Sequence, residues 1–490
     1  MKKLLAILLT LTLALGMMIP IMADPTPAQS IVGYSPDRVT KITDWSEIPN
    51  ILEYDNYVDG NPPAFKILDA EGLTKLNTIL AFGDCLENVT VYQAYDIDMK
   101  DAELRPFGET SGLAFKGTYD GQGHVIDNLT IVPKNPDIAS GAANYGFFGV
   151  VSKATLKNMV LGSNVEIAMG GINKAVDART GGLVGTSNGV TIDNCYILAT
   201  VNGSHFTGGV IGFTATDNPD VVTNTTFNGT VHTTNDTVGG IIGHERGNKA
   251  ASNNDLISNC RVMGSVTGDG TAWVGGLIGR SAQPNVTMDG CIVGGIVASN
   301  GTGYVSPFLC QAAIYGHTIT NCLSYADLST EDESLLIGMV SHFHSKNYNN
   351  IATEDGGEPL ALKHMVLTGS EIRTGEDPTL NTVPTVTPDY PTAEEIEAAH
   401  GTPNSGTPDN GNGDTTGETE PSTTQAPAPT TKAPDPVTKA PSTTTQAPAS
   451  TTADTSDKKS GGCGSSVALV SVIGIAAIGC AVTLKHKKED

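Results

Sequence analysis

One unit recurs along the middle of this chain and restricts what it can fold into. It reads Gly181-Gly182-Leu183-Val184-Gly185, Gly208-Gly209-Val210-Ile211-Gly212, Gly239-Gly240-Ile241-Ile242-Gly243 and Gly275-Gly276-Leu277-Ile278-Gly279. Each copy leads through a polar loop to a second signature, an apolar-x-Asn-Cys-like turn. The turns are Ile192-Asp193-Asn194-Cys195, Val222-Thr223-Asn224-Thr225, Ile257-Ser258-Asn259-Cys260 and Met288-Asp289-Gly290-Cys291. With the Cys position as a ruler, Ile319-Thr320-Asn321-Cys322 is a further copy. Ser306-Pro307-Phe308-Leu309-Cys310 is then a worn form of GGLIG, and Ile337-Gly338-Met339-Val340-Ser341 comes next. Upstream, Tyr145-Gly146-Phe147-Phe148-Gly149 with Leu156-Lys157-Asn158-Met159 is the first clear unit. The period of about 32 residues lies in the range of repeat architectures, and it makes about seven units.

The stretches inside a unit are short and alternate, as in Val190, Ile192 and then Ile197, Ala199, Val201, the period-2 signal of a strand. Glycine pairs and Asn or Gly turns separate them, where positive φ or close backbone approach is needed. A short strand pair cannot bury a face alone, whereas stacked copies share one core and pair every interior edge. Coils would then sit about 4.8 Å apart. The expectation is an all-β parallel β-helix, a solenoid of about seven coils; a β-propeller, with four-stranded blades of about 40–50 residues, is the alternative.

The GGxxG…NC repeats resemble the GLUG-type repeat of bacterial surface proteins. The resemblance extends to Phe115-Lys116-Gly117-Thr118-Tyr119-Asp120-Gly121-Gln122-Gly123-His124-Val125-Ile126-Asp127-Asn128-Leu129, similar to the FxGxxDGxGHxIxNL segment that opens such domains. Ile67-Leu68-Asp69-Ala70-Glu71-Gly72-Leu73-Thr74-Lys75-Leu76 resembles their short leading helix. The match runs from Ile67 to Asn350. It implies a right-handed β-helix with an N-terminal capping helix, on a surface protein, and implies no particular activity.

The two ends point to export. Lys2 and Lys3, the apolar run from Leu4 to Leu15 and Ala23 before Asp24-Pro25 predict a signal peptide over 1–23. Near the other end, 463–484 contains an uncharged run from Ser465 to Leu484, long enough for a bilayer. Lys485, His486, Lys487 and Lys488 follow it, which places 485–490 in the cytoplasm. The tail resembles the sorting tails of Gram-positive surface proteins, but the LPxTG pattern is absent, so a retained helix is the simpler reading. Between them, 401–462 collapses to Thr, Pro, Ala, Ser, Gly and Asp, with TKAP and TTQAPA each recurring. Such a segment has little to bury and, as extended polyproline, reads as a stalk. The remaining divisions are a leader over 24–66, a capping region over 67–114, the repeats over 115–355 and a linker over 356–400, in which Glu394 to Ala399 form one more short helix. The expected location is the cell membrane, single-pass, with an extracellular ectodomain and cell-wall association left open.

Chemistry is sparse. The net charge of −24 disfavours nucleic acid, whose phosphates need Lys and Arg, and keeps the protein off anionic headgroups. Cys195, Cys260, Cys291 and Cys322 occupy equivalent turn positions and form a line, where zinc needs convergent ligands; they are expected as inward-facing free thiols packing as small hydrophobes. His244 and His342 follow the GGxxG unit and share a column with Arg280 and Gln311, as ordinary surface histidines. Asp193 and Asp289 share a column three coils apart, beyond the reach of a glycosidic acid/base pair. Loops such as Asp217-Asn218-Pro219-Asp220 and Asn253-Asn254-Asp255 read as polar turns rather than calcium ligands. No catalytic, cofactor or metal site is expected. Trp273 and Tyr304 are the best candidates for stacking on sugar. The expected function is an adhesion or interaction module for extracellular glycan, matrix protein or neighbouring cells. A non-binding envelope spacer is the alternative, and a polysaccharide-active enzyme a distant third.

Overall fold

Each repeat folds into five short strands. One coil runs Ala178–Gly181, Val184–Asn188, Thr191–Asp193, Tyr196–Ile197 and Thr200–Gly203, and the next begins at Phe206–Gly208. The computed structural model describes residues 33–56, 63–132, 143–168, 177–214, 218–246, 254–282, 286–312, 317–336, 340–342, 369–373 and 384–400. The expected signal peptide, stalk and membrane helix lie outside the described residues.

Equivalent strands of successive coils pair in parallel and build sheets of six, seven, nine and fifteen strands. The fifteen-stranded sheet has two arms that meet at Val125–Ile131. Register follows the repeat: Gly181 pairs with Gly208, then Gly239, Gly275 and Ser306. Likewise Ile192 pairs with Val222, Ile257, Met288 and Ile319. These apolar positions, with Val184, Ile211, Ile242, Ile278 and Leu309, are fully buried in one continuous core. Each such side chain contributes about 1.5–3 kcal/mol relative to exposure. The chain is a parallel β-solenoid of about seven coils.

The two glycine requirements separate cleanly. Positive φ belongs to the turn before the Cys column, at Asn158 (53°), Asn194 (52°), Asn224 (48°), Asn259 (52°), Gly290 (63°) and Asn321 (54°). The GGxxG glycines instead serve close approach. A Cβ on Gly208 would overlap the Ile211 carbonyl, and one on Gly209 the Gly240 carbonyl of the next coil.

The stack begins earlier than the repeat pattern marks. Ala64–Ile67 and Thr90–Gln93 already belong to the nine-stranded sheet. Helix α1 (Ala70–Ala81) starts after Asp69, whose carboxylate accepts from Gly72 N at 2.8 Å. Ile67 therefore ends a strand rather than opening the helix. Leu73, Leu76, Ile79 and Leu80 of α1 join the solenoid core.

Two segments run along the outside. Gly33 N donates to the Asn259 carbonyl, Ser35 N to Asn194 Oδ1 and Ile42 N to Gln122 Oε1, so the leader crosses the coils against their order. Tyr34 stacks on Tyr196 at 5.2 Å. The end of the expected linker returns to the first coils: Val386 packs on the Tyr34–Tyr196 cluster and Asp389 N donates to Asp96. Helix α2 (Ala393–His400) ends with His400 between Asn50 and Asp69.

Candidate functional site

The residue after the third glycine of each GGxxG unit falls in one column: Thr186, Phe213, His244, Arg280, Gln311. On the neighbouring six-stranded sheet, Asn144, Arg179, Phe206, Thr237 and Trp273 form another. The third glycine brings the two columns face to face. A Cβ on Gly212 would lie 2.6 Å from Thr180 N and one on Gly279 2.6 Å from the Val238 carbonyl, so any other residue would hold the sheets apart. Across the crevice Thr186 Oγ1 donates to Asn144 Oδ1 at 2.6 Å. The Arg179 guanidinium lies 3.9 Å over the Phe213 ring. Phe206 stacks on Phe213 at 5.3 Å and meets His244 edge-on at 4.4 Å. At the far end Trp273 and Tyr304 stack at 4.5 Å with planes 19° apart, both partly exposed.

This geometry corrects two expectations about histidine. His244 is 4% exposed, not a surface residue, because the folded-back strand presses it against Phe206. Burial, then Arg280, Arg246 and Arg179, push its pKa down to about 3, and neither ring nitrogen has a hydrogen-bond partner. His342 leaves the column: a register shift after Leu309 pairs it with Ala312 rather than Gln311. Buried polar atoms without a hydrogen-bond partner occur along the same crevice at Asp177, His205 and Thr237. Sequence reasoning missed these, since only the offset between two sheets brings these positions together.

The cysteine column has a structural explanation. Each thiol points at the carbonyl two residues back, Cys195 at Asp193 (3.5 Å), Cys260 at Ser258 (3.4 Å), Cys291 at Asp289 (3.6 Å) and Cys322 at Thr320 (3.3 Å). Thr225 fills the same place with its hydroxyl on the Thr223 carbonyl at 2.9 Å. Ser370 is the next rung, accepting from Cys322 N, and nothing in the repeat spacing announces it. The six described cysteines, Cys85 and Cys310 included, are buried thiols. Burial pushes the Cys195 thiol up to about 12, far from reactive thiolate. Those six thiols should therefore resist an aromatic disulfide reagent in the native protein and react after denaturation without reductant. Six fast native reactions, or none after denaturation, would contradict the arrangement.

Asp220 and Asp255, at the ends of the two acidic loops, are buried. Asp220 accepts from Val190 N at 2.7 Å and Ser187 Oγ at 2.9 Å, and Asp255 accepts from Asp220 N at 2.8 Å. Glu245 is buried beside Asp255 and Ser281. Among the described residues no group of three or more His, Cys, Asp or Glu has metal-holding geometry. Asp193 and Asp289 serve the turn ladder: each accepts from the Thr and Asn of the next coil's turn. A cavity of about 400 Å³ lies between α1, α2 and the first coils. Three of its four acids are engaged, Asp69 as helix cap and Asp96 and Asp98 by backbone and side-chain donors. Among the described residues no helix is long and apolar enough to cross a membrane.

Fold and crevice together define a parallel β-solenoid repeat protein with one polar and aromatic exterior seam. No family model matches the chain. It is similar to halomucin of Haloquadratum walsbyi, 31% identical over 114 residues, which are 23% of this chain. The chain spans about 1% of that protein's length. Among solved structures, a Bacteroides ovatus protein provisionally described as an immunoglobulin A1 protease aligns over 64% of this chain and 85% of its own. Identity is 15% and the TM-score 0.35, too low to define a shared fold.

Proposed function

We propose that the chain is a cell-surface interaction module that binds extracellular polysaccharide along the seam ending at Trp273 and Tyr304. The single observation that supports this is the stacked, partly exposed pair those residues make on adjacent coils. Aromatic faces of this kind take the apolar faces of sugar rings, while the rim supplies hydroxyl, amide and guanidinium partners. Matrix proteins and neighbouring cells remain the other partners of the same class. In this reading a signal peptide exports the chain, the C-terminal helix holds it in the membrane, and the Pro/Thr segment keeps the solenoid clear of the surface. The proposal is of binding, not turnover.

Retention of the whole chain on insoluble plant, host and bacterial polysaccharides tests it. Selective, saturable retention on one of them is expected. Trp273→Ala with Tyr304→Ala should lower that affinity at least about tenfold, the equivalent of about 1.4 kcal/mol, without changing the melting profile. Retention on none would leave the spacer as the better account.

A further inference from the structure

The chain ties the two ends of its solenoid together. Glu371–Ile372 pairs with Leu323–Ser324 near the C-terminal end of the stack, and Arg373 N donates to the Ser324 carbonyl at 2.8 Å. From 384 the chain lies instead against the first coils. Val386 packs on the Tyr34–Tyr196 cluster, and Asp389 N donates to Asp96 Oδ2 at 2.6 Å. A capping box then starts α2, with Thr392 N donating to Glu395 Oε2 and Glu395 N to Thr392 Oγ1. Its last residue, His400, fastens it. Asn50 Oδ1 accepts from Leu52 N, which turns the Asn50 amide N–H toward His400 Nδ1 at 3.0 Å. Nδ1 therefore accepts, and Nε2–H donates to Asp69 Oδ2 at 3.1 Å. Both partners are fixed in the first coil, Asn50 by its bridge to Lys66 and Asp69 as the cap of α1.

This fastening is weak beside what it spans. Helix α2 buries no residue, and the His400–Asp69 pair is partly open to water on both sides, where such a pair adds little. Each coil, by contrast, is held by backbone pairing and by fully buried apolar side chains of the shared core, several of which would be exposed if it opened. The chain beyond His400 leads into the Pro/Thr segment, so a pull from that side meets the latch before any coil. We propose that 384–400 is a tension-released strap. At rest it tethers the molecule through its first coil; under load it lets go at His400, Asp389 and Val386 and lengthens the tether before the repeats open. Residues 374–400 are 27 residues, roughly 90 Å of extended chain. At rest the Trp273 coil already stands clear of the attachment. Its strand Thr287–Asp289 is the eighth of the nine-stranded sheet that Ala64–Ile67 begins, seven spacings or roughly 34 Å away. The strap's role rests on the membrane tether proposed above and not on which ligand the solenoid binds.

Single-molecule pulling on the whole chain in detergent tests this, with one handle on Cys463 of the tail and the other on Glu331→Cys, an exposed position near the C-terminal end of the stack. Cys480→Ser removes the other tail thiol, and the six described thiols are buried. The expected trace opens with one step of roughly 50 Å, the released chain less the length of stack it bridged. Only at higher load should losses of about one repeat, roughly 32 residues, follow. His400→Ala should lose the first step, the strap being already free at the lowest loads. His400→Gln should keep it, since its amide also offers one acceptor and one donor. Because α2 buries no residue, both variants should match wild type in circular dichroism. Repeat-sized losses ahead of the first step, or a first step equal in wild type and His400→Ala, would overturn the strap. A whole chain that does not partition into phosphatidylcholine vesicles would overturn the tether, and with it the role given to the strap, whatever the traces show. Failure of polysaccharide retention bears on the Trp273–Tyr304 site alone.

Discussion

Replacing Gly208 by alanine should destabilise the solenoid by about 3 kcal/mol or more, among the largest effects a single methyl can have. The added Cβ would overlap the Ile211 carbonyl, and Gly243 N of the next coil lies close behind. Both obstacles are backbone in paired strands, so neither can swing aside as a side chain can. Relief would require opening the corner, which would separate Val210 and Ile211 from the core and break register with Gly181 and Gly239. Gly239→Ala and Gly275→Ala meet the same carbonyl in their own coils and should behave alike. Gly112→Ala is the control, since nothing lies within 4 Å of its Cβ position. Urea unfolding followed by circular dichroism should show the first three variants losing most of their stability and the fourth nearly unchanged. A Gly208→Ala protein with wild-type midpoint would mean that the corner is not built as described.

The second large effect is on pH dependence. Asp220 is pushed up to about 8 by burial and then by Asp255, and Glu245 is raised by burial and then by Asp255. In the unfolded chain these groups ionise near their ordinary values of about 4. Below that pH both states hold the protons and the acids cost nothing. From about pH 4 to about pH 8 the unfolded chain releases protons that the folded chain keeps, so stability falls as pH rises across that window. Asp96 and Asp98 act oppositely: hydrogen bonds from His124 and Asn128 hold them below the usual carboxylate range, and their contribution is lost only on acidification below about pH 4. Asp220→Asn keeps the acceptor for Val190 N and offers Ser187 an amide. It should gain on wild type by on the order of 2 kcal/mol between pH 5 and pH 8. Urea midpoints of the two proteins across that range check this. Parallel pH profiles would refute it, and so would a profile flattened by added calcium, because the acids would then be serving a cation.

How far these features could be read beforehand depended on whether they lay along the chain or between coils. The GGxxG and Asn-Cys signatures are local, and they carried the coil number, the strand register and the line of thiols. Trp273 and Tyr304 could be picked out one at a time, but their stacking depends on the pairing of two coils. The burial of His244 was not legible, because whether the residue after the third glycine faces water depends on how closely that glycine lets one sheet approach the other. Asp220 and Asp255 look like any polar loop residues. Only the buried ladder of Val190 N, Ser187 and Asp220 N shows what their carboxylates do. The departure of His342 from its column follows a register shift with no mark in the sequence. The return of 384–400 to the first coils is equally unsignalled, since its contacts at Asp96, Asn50 and Asp69 are almost 300 residues or more away in the chain.

The central claim, that ligand meets the solenoid at the Trp273–Tyr304 face, can be read from the ring itself. The chain has two tryptophans, and Trp45→Phe leaves Trp273 as the only reporter. Titrating that variant with a soluble form of whichever polysaccharide retains the protein should shift and quench Trp273 emission saturably, at the concentration where retention is half-maximal. Binding with no change in Trp273 emission would place the ligand elsewhere on the molecule and contradict the account.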